Sequence, residues 1–300
     1  MKQLVQKLFL SAVALAAVPT LVFAQPTAHY VPGVEGIKGA SLPPPGVYLR
    51  DYSVFYFANR LNDGSGNEIA PADAQAFIFA NVPRVLWITD QKFLGGSVGV
   101  DALLPLQYTS LEANTPGGPF DDSTFGVGDF FAEATLSWHK PQADLSLAYG
   151  IWAPTGDSSP NLTTRAGLGY WTHMFTAGAT WYPDKEKKWS LSVLNRYEIN
   201  TEKADTSITP GQALTVEWGL GYALKPTIEV GLAGYGQFQT TKDSGAGAGD
   251  GKDQVIAVGP EISTVCPKLG VLISLRYLCE VVAEERLQGN TVALTLTKRF

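Results

Sequence analysis

The fold is decided by a stretch of residues 214–224 that reads LTVEWGLGYAL. Large apolar side chains occupy every second position, and Thr215, Glu217 and three small residues lie between them. Successive side chains of a β-strand point to opposite faces, so the pattern predicts a strand with one apolar and one polar face. The stretch VLISLRYLCEV at 271–281 repeats it, with Arg276 and Glu280 on the polar face.

Most of the chain is built from such segments, and long helical periodicity is absent. Many of them exceed the five or six residues usual for strands of soluble proteins and match the roughly 9 to 11 needed to cross a bilayer at a tilt. The predicted strands are 47–59, 74–89, 93–109, 126–138, 143–154, 169–182, 188–200, 212–224, 227–241, 253–265, 270–283 and 289–300.

The connections between these segments alternate in length. Short turns such as 90–92 and 225–226 alternate with long loops rich in Gly, Asp, Asn and Ser, such as 60–73 and 110–125. This alternation on an even number of strands is typical of barrels of the bacterial outer membrane. The predicted fold is therefore all-β: a closed, transmembrane, antiparallel up-and-down barrel of about twelve strands.

Composition excludes several other classes of protein. The net charge of −6 argues against a nucleic-acid partner, which requires a basic face. Two cysteines are too few for a disulfide framework or a cysteine zinc site, and no motif indicates a cofactor or a metal. No segment after the first two dozen residues is long and apolar enough for a membrane-spanning helix.

The beginning of the chain has the layout of a secretory signal peptide. Lys2 and Lys7 precede an apolar run at 8–18, and Ala24 ends a stretch with small residues at the cleavage positions. We predict removal of residues 1–24 and export to the bacterial outer membrane, with the barrel domain spanning 47–300.

Residues 25–46 between the signal peptide and the barrel read as neither strand nor helix. Their PPPG run at 43–46 is stiff and extended. Because Tyr30, Val34 and Leu42 give the segment apolar groups to bury, we expect it to enter the barrel lumen as a plug; the alternative is that it trails in the periplasm.

The polar face of the predicted strands carries charges of both signs, which must meet water or each other inside a barrel. Eight strands give a lumen filled by side chains and sixteen or more an aqueous channel, so twelve predict a narrow, gated or plugged passage. The alternative is that the charges form salt-bridged belts that fill the interior. The candidate lumen residues are Asp101, Asp129, Glu133, Arg196, Glu198, Glu217, Glu229, Glu261, Arg276, Glu280 and Arg299.

Prolines interrupt the strand pattern at Pro83, Pro105 and Pro260. Each removes a ladder hydrogen bond or marks a bulge. The first two lie on one predicted hairpin together with Gly95 and Gly96, so this wall is a candidate for a lateral opening through which an apolar solute reaches the membrane. The alternative is that the bulges only shape the barrel.

Aromatic residues fit both the membrane boundary and the end of the chain. Tryptophans near strand ends suit interfacial girdles, which predicts contact with lipid and lipopolysaccharide. The last strand ends on Phe300, which resembles the C-terminal signal read by the bacterial barrel-assembly machinery. The girdle candidates are Trp87, Trp138, Trp152, Trp171, Trp181 and Trp189.

Enzymatic activity finds little support in the residues. Outer-membrane phospholipases use a His-Ser-Asn arrangement on the lipid side. The chain has three histidines, and His173 shares the apolar face with Phe175. No clear serine and asparagine partners accompany it, and acid–base catalysis needs such a partner within reach. We therefore predict that the protein is not an enzyme.

Several segments resemble one known family. They are YVPGVEG at 30–36, SLPPPG at 41–46, NRYEIN at 195–200 and TKRF at 297–300. They are similar to the outer-membrane transporters named for the meta-cleavage pathway of phenol degradation. The resemblance covers essentially the whole mature chain and implies a barrel of the cell envelope and passage of aromatic or other hydrophobic compounds.

The sequence therefore predicts a passive channel for small solutes, aromatic or hydrophobic ones included. Two other functions stay open: a structural or adhesion barrel with a filled lumen, and an outer-membrane lipid hydrolase.

Overall fold

The computed structural model of the protein describes residues 28–70, 73–115, 118–158 and 164–300. The predicted signal peptide lies outside these residues. The described part is built of β-strands and contains no α-helix, so no helix there is of a length and hydropathy to cross a membrane.

Sixteen strands form in the described residues. They are β1 (Gly46–Asn62), β2 (Gln75–Phe93), β3 (Gly96–Leu103), β4 (Leu106–Thr115), β5 (Gly118–Val127), β6 (Phe130–His139), β7 (Ala143–Ala153), β8 (Thr172–Trp181), β9 (Trp189–Asn200), β10 (Ile208–Thr209), β11 (Ala213–Lys225), β12 (Ile228–Gln239), β13 (Ser244–Gly245), β14 (Gln254–Cys266), β15 (Val271–Glu284) and β16 (Arg286–Arg299).

Twelve of these strands close into an antiparallel barrel, which confirms the predicted fold. The wall runs β1-β2-β3-β6-β7-β8-β9-β11-β12-β14-β15-β16, and β16 pairs back onto β1. The N–H of Phe300 donates to the carbonyl of Val47 at 2.9 Å beside this junction. Closure is required because lipid offers no partner to the backbone groups of a sheet edge.

Alternation along each strand separates a lipid-facing outside from the lumen. On β11, Leu220 is 38% exposed whereas Glu217 is 2% exposed. The outer surface carries exposed apolar side chains such as Val85, Leu147 and Leu275. A sheet with this apolar exterior is stable only in lipid, which agrees with the predicted membrane barrel.

The predicted tryptophan girdle needs one correction. Trp87, Trp171, Trp181 and Trp189 are exposed on the outside. Trp152 is buried in the lumen because it shares the face of β7 that carries Ser146 and Gly150. Its position near a strand end suggested the girdle, but its parity along the strand decides which side it faces.

The wall also differs from the predicted strands in one region. The predicted strand 93–109 is divided into β3 and β4 at Leu104 and Pro105, and the predicted loop 110–125 contains a β-hairpin of β4 and β5. β4 pairs with the first half of β2 and β3 with its second half. The Gly, Pro and Asp residues of this stretch indicated a loop, but their partners across the hairpin keep it extended.

Candidate functional site

The lumen of the barrel contains the described part of the N-terminal segment, residues 28–45. Its backbone turns twice: the N–H of Gly39 donates to the carbonyl of Gly36, and that of Ser41 to the carbonyl of Lys38, both at 2.9 Å. Lys38 has a φ of 59°, a left-handed conformation that tightens this turn. The segment therefore folds compactly enough to fit within a twelve-stranded wall.

Three carboxylates of the wall accept hydrogen bonds from backbone N–H groups of this segment. Glu198 accepts from His29 and Tyr30, both at 3.1 Å. Glu217 accepts from Gly33 at 2.8 Å and Glu35 at 3.1 Å, and Glu261 accepts from Ile37 at 2.9 Å. Hydrogen bonds to an ionised acceptor are stronger than neutral ones, so these contacts hold the segment in one register.

The carbonyl groups of the same segment are bound by donors of the wall. Gln237 Nε2 donates to the carbonyl of Tyr30 at 2.9 Å, and Ser192 Oγ donates to that of Gly36 at 3.1 Å. Arg276 Nη1 donates to the carbonyls of Gly33 and Val34. The wall thus pairs both donors and acceptors of a backbone that carries no secondary structure of its own.

Glu35 of the segment extends into a cluster of charges from β1, β2, β3 and β6. Its Oε1 lies 3.1 Å from Arg50 Nη1 and 3.6 Å from Arg84 Nη1, and the hydroxyl of Tyr52 donates to it at 2.7 Å. Arg84 also binds Asp101 at 2.8 Å and Glu133 at 3.0 Å. Every charge in this buried cluster has a partner of opposite sign, as burial demands.

His29 is fixed at the extracellular end of the lumen. Its ring stacks on Trp152 at 5.4 Å between centroids and meets Tyr170 edge-on at 4.6 Å. Its Nε2 lies 2.9 Å from Asp129 Oδ2, and its Nδ1 lies 2.7 Å from Thr172 Oγ1. His29 is therefore held by two aromatic contacts as well as by polar ones.

Two apolar clusters fill the lumen between these polar groups. The first contains Tyr30, Phe131, Trp152 and Met174, with Leu103 packed against it. The second contains Tyr52, Val54, Ala80 and Ala293, with Val82 packed against it. Val34 of the N-terminal segment packs against both clusters and so joins them.

The structure brings most of the candidate lumen residues together inside the barrel. The nine that are buried there are Asp101, Asp129, Glu133, Arg196, Glu198, Glu217, Glu261, Arg276 and Glu280. Glu229 is half-buried and pairs with Lys38 at 2.8 Å. Arg299 lies at the end of β16, where its Nη2 donates to the carbonyl of Pro45 at 2.8 Å.

The four residues that the sequence suggested for a lateral opening lie in two separate places of the wall. Pro83 and Pro105 lie close together where β3 passes into β4. Gly95 lies in the β2–β3 turn with a φ of 77°, and Gly96 begins β3 next to Trp138. The glycines therefore form a turn at one rim, and the prolines lie where β3 gives way to β4. The β2–β3 ladder also shifts register, between Ile88 and Lys92.

Sequence reasoning did not assign roles to His29, Glu35, Arg50 or Arg84, which complete the lumen cluster. Arg50 and Arg84 share the parity of the lumen-facing Tyr52 and Leu86, so alternation along β1 and β2 is the signal that places both in the lumen. Glu35 belongs to a segment without periodicity, and no pattern indicated its partners. Among the described residues, no group of three or more His, Cys, Asp or Glu is arranged to hold a metal ion.

The closed barrel, its apolar exterior and its charged lumen define a β-barrel of the outer-membrane type. The model of the family described as "Putative MetA-pathway of phenol degradation" matches residues 58–296. The chain therefore belongs to this family, as the resembling segments predicted.

Solved structures show the same architecture. An outer membrane channel from Pseudomonas putida F1 is similar with a TM-score of 0.77 at 14% identity, over 90% of this chain and 100% of that one. The translocator domain of the autotransporter NalP from Neisseria meningitidis has a TM-score of 0.52 at 10% identity, over 87% and 91% of the two chains. At these identities the likeness concerns the fold, that of bacterial outer-membrane barrels. No curated protein sequence matches the chain.

Proposed function

We propose that this protein is a passive outer-membrane channel for small, mainly apolar solutes, aromatic ones included, with residues 28–45 as its plug. The observation that carries the proposal is the way the lumen is closed. Its carboxylates bind the backbone of the N-terminal segment instead of pairing only with the cationic side chains of the wall. A passage closed by hydrogen bonds to a detachable segment can open without any change in the wall.

The proposed solute class follows from what would be left when the segment moves. Withdrawal of Val34 uncovers the two apolar clusters, which include the rings of Phe131 and Trp152. Such surfaces favour aromatic and aliphatic molecules over sugars, because removal of apolar area from water is favourable by roughly 25 cal/mol per Å². The family name and the channel from Pseudomonas putida support the same reading.

Uptake by cells with a lipopolysaccharide-containing outer membrane tests the proposal. Cells that carry the full chain should take up radiolabelled toluene several times faster than cells without it, and a labelled disaccharide should enter both at the same rate. Toluene uptake equal in the two strains would contradict the channel.

A structural barrel with a filled lumen is the second candidate. It is favoured by the closely packed interior, in which Phe131 and Met174 are each 2% exposed. The same uptake experiment decides between the two, because a permanently filled barrel gives no toluene uptake even when it is folded and abundant in the membrane.

Lipid hydrolysis is the least supported of the three functions. His173 faces outward as predicted, but its Nδ1 lies 2.8 Å from the hydroxyl of Tyr149, and its ring stacks on that of the same tyrosine. A phenol in this position orients the imidazole without supplying a nucleophile of the serine type. Replacement of His173 by alanine should therefore leave the lipid content of the membrane unchanged.

A further inference from the structure

The ring of His29 is enclosed by aromatic and polar groups that belong to the wall and its loops. Trp152 stacks on the ring with 15° between the two planes, and Tyr170 meets it edge-on. The side chain of His29 is only 3% exposed, so the enclosure is nearly complete. We call the four wall and loop residues that contact this ring the ring cradle: Asp129, Trp152, Tyr170 and Thr172.

The edge of the enclosed ring faces two oxygen atoms that act as acceptors. Asp129 Oδ2, next to Nε2 of the ring, also accepts the N–H of Leu168 at 2.8 Å. Thr172 Oγ1, next to Nδ1, donates its own hydrogen to Asn200 Oδ1 at 2.6 Å. The amide of Asn200 is fixed in this orientation because its Nδ2 donates to the carbonyl of Gly211. Through these two oxygens the cradle accepts hydrogen bonds and donates none.

The ring cradle is held together by contacts that do not involve the plug. The N–H groups of Gly156 and Leu168 donate to the two carboxylate oxygens of Asp129 at 2.9 and 2.8 Å. The ring of Phe131 packs against that of Trp152 at 4.6 Å between centroids. Withdrawal of the plug therefore removes the imidazole and leaves its binding site built.

The imidazole does not satisfy every polar group of the cradle. Trp152 is 6% exposed, and its buried Nε1 has no hydrogen-bond partner among the described residues. A buried donor without a partner is costly and calls for an explanation. A hydroxyl group can accept a hydrogen bond while it donates another, whereas an N–H group only donates. The unpaired donor is evidence that the cradle is suited to an occupant other than histidine.

We propose that the ring cradle is a solute-binding site of the channel for an uncharged aromatic ring with a hydroxyl or N–H group, and that His29 fills it in the closed state. This inference rests on the proposed channel function and narrows its solute class. The solute ring replaces that of His29 on Trp152, and its hydroxyl or N–H group donates to Asp129. Toluene lacks such a donor, and an aromatic carboxylate such as benzoate is repelled by the carboxylate of Asp129.

Removal of the imidazole tests the site without any transport. His29→Gly empties the cradle of the purified protein, and imidazole and phenol are the probes. Both should raise the temperature at which the barrel loses its heat-dependent gel mobility. Benzoate should need at least about a tenfold higher concentration, because a hydrogen bond to a charged group changes binding by about that factor. None of the three probes should affect the parent protein, whose cradle is filled.

The matched control is a histidine with a similar carboxylate partner and no enclosure. His139 Nδ1 lies 2.9 Å from Asp144 Oδ1, the distance found between His29 and Asp129, but the side chain of His139 is 43% exposed. Imidazole and phenol should therefore leave the unfolding temperature of His139→Gly unchanged. Equal responses of the two glycine variants to the probes, absent responses included, would overturn the proposed site.

A second variant tests the specificity of uptake by cells. Asp129→Asn should lower the ratio of phenol uptake to toluene uptake about fivefold, the difference between a hydrogen bond to a charged acceptor and one to a neutral acceptor. Asp144→Asn is the control and should leave this ratio unchanged. The heat-dependent gel mobility verifies folding of both variants.

A ratio that Asp129→Asn leaves at the parent value would overturn the proposal, because a purely structural role of this carboxylate affects both solutes alike. A parent protein that takes up neither solute contradicts the channel, whereas probes without effect on His29→Gly contradict the ring cradle alone.

Discussion

Two parts of the barrel wall follow the same alternating pattern but differ in the continuity of their hydrogen-bond ladders. From β7 to β11 the ladders run without a register shift, and Glu198 and Glu217 on this side bind the backbone of the N-terminal segment. From β2 to β6 the wall is interrupted at Pro83 and Pro105, and Val82 and Leu103 beside this break pack against the apolar clusters. A continuous ladder can hold a buried segment in place, whereas an interrupted one can yield.

The largest expected effect comes from placing a proline in the regular part of the wall, from β7 to β11. Val193 in β9 is paired with Ala179 and with Trp218. Val193→Pro should cost at least about 5 kcal/mol, because it removes a ladder donor and leaves a carbonyl unpaired in lipid. We expect loss of the heat-dependent gel mobility of the folded barrel. Val193→Ala, which keeps the N–H, should retain it.

The next effect concerns the anchoring of the N-terminal segment to the regular part. Glu217→Ala removes the acceptor for Gly33 and Glu35 and leaves Arg196, 2.5 Å from that carboxylate, without its partner. It should lower the free energy of unfolding by about 3–5 kcal/mol and raise the ion conductance of single channels in planar bilayers.

The control for the anchoring experiment lies at the periplasmic end. Glu229→Gln affects the pair with Lys38, whose side chains are 13% and 31% exposed, and should cost about 1 kcal/mol. Equal conductance of the Glu217 variant and the parent chain would show that this carboxylate does not hold the plug closed.

The interrupted part carries a carboxylate on its outer face. Asp51 of β1 is paired with Pro83 of β2 and shares its face with the exposed Leu49 and Phe57. Asp51→Leu should stabilise the barrel by about 1–2 kcal/mol, because a charge on the lipid face is unfavourable. Urea unfolding of the refolded barrel measures the change. Ser53→Ala keeps the charge and is the control; equal stability of Asp51→Leu and the parent would contradict a cost of the charge.

The smallest effect belongs to the turn between β8 and β9 in the regular part. Asp184 accepts the N–H groups of Lys188 and Trp189, and these bonds lower the pKa of its carboxyl below the usual value. A lowered pKa in the folded protein stabilises it above the unfolded pKa, and the stabilisation is lost as the pH falls through the folded value. Asp184→Asn should therefore differ from the parent in urea unfolding at pH 7, and the difference should shrink as the pH falls below the usual carboxyl pKa.

The sequence predicted the barrel because alternation with a period of two can be read along a single strand. Glu217 and Arg276 fall on the polar face of their strands whatever strands lie beside them. It did not predict that Arg84 binds Asp101, Glu133 and Glu35 at once, since those contacts depend on registers between strands and on a segment with no period. The β4–β5 hairpin was missed for a related reason: its turn-forming composition was visible, and the partners that keep it extended were not. Trp152 shows that parity decides where a residue of the wall points.

The pairing of β1 with β16 has a consequence for assembly. The segment bound in the lumen immediately precedes β1, and β1 is the strand whose edge the end of the chain must find. This ladder joins the two ends of the chain, so a wall that closes there can enclose a segment already attached to β1, and threading that segment through a finished ring is unnecessary.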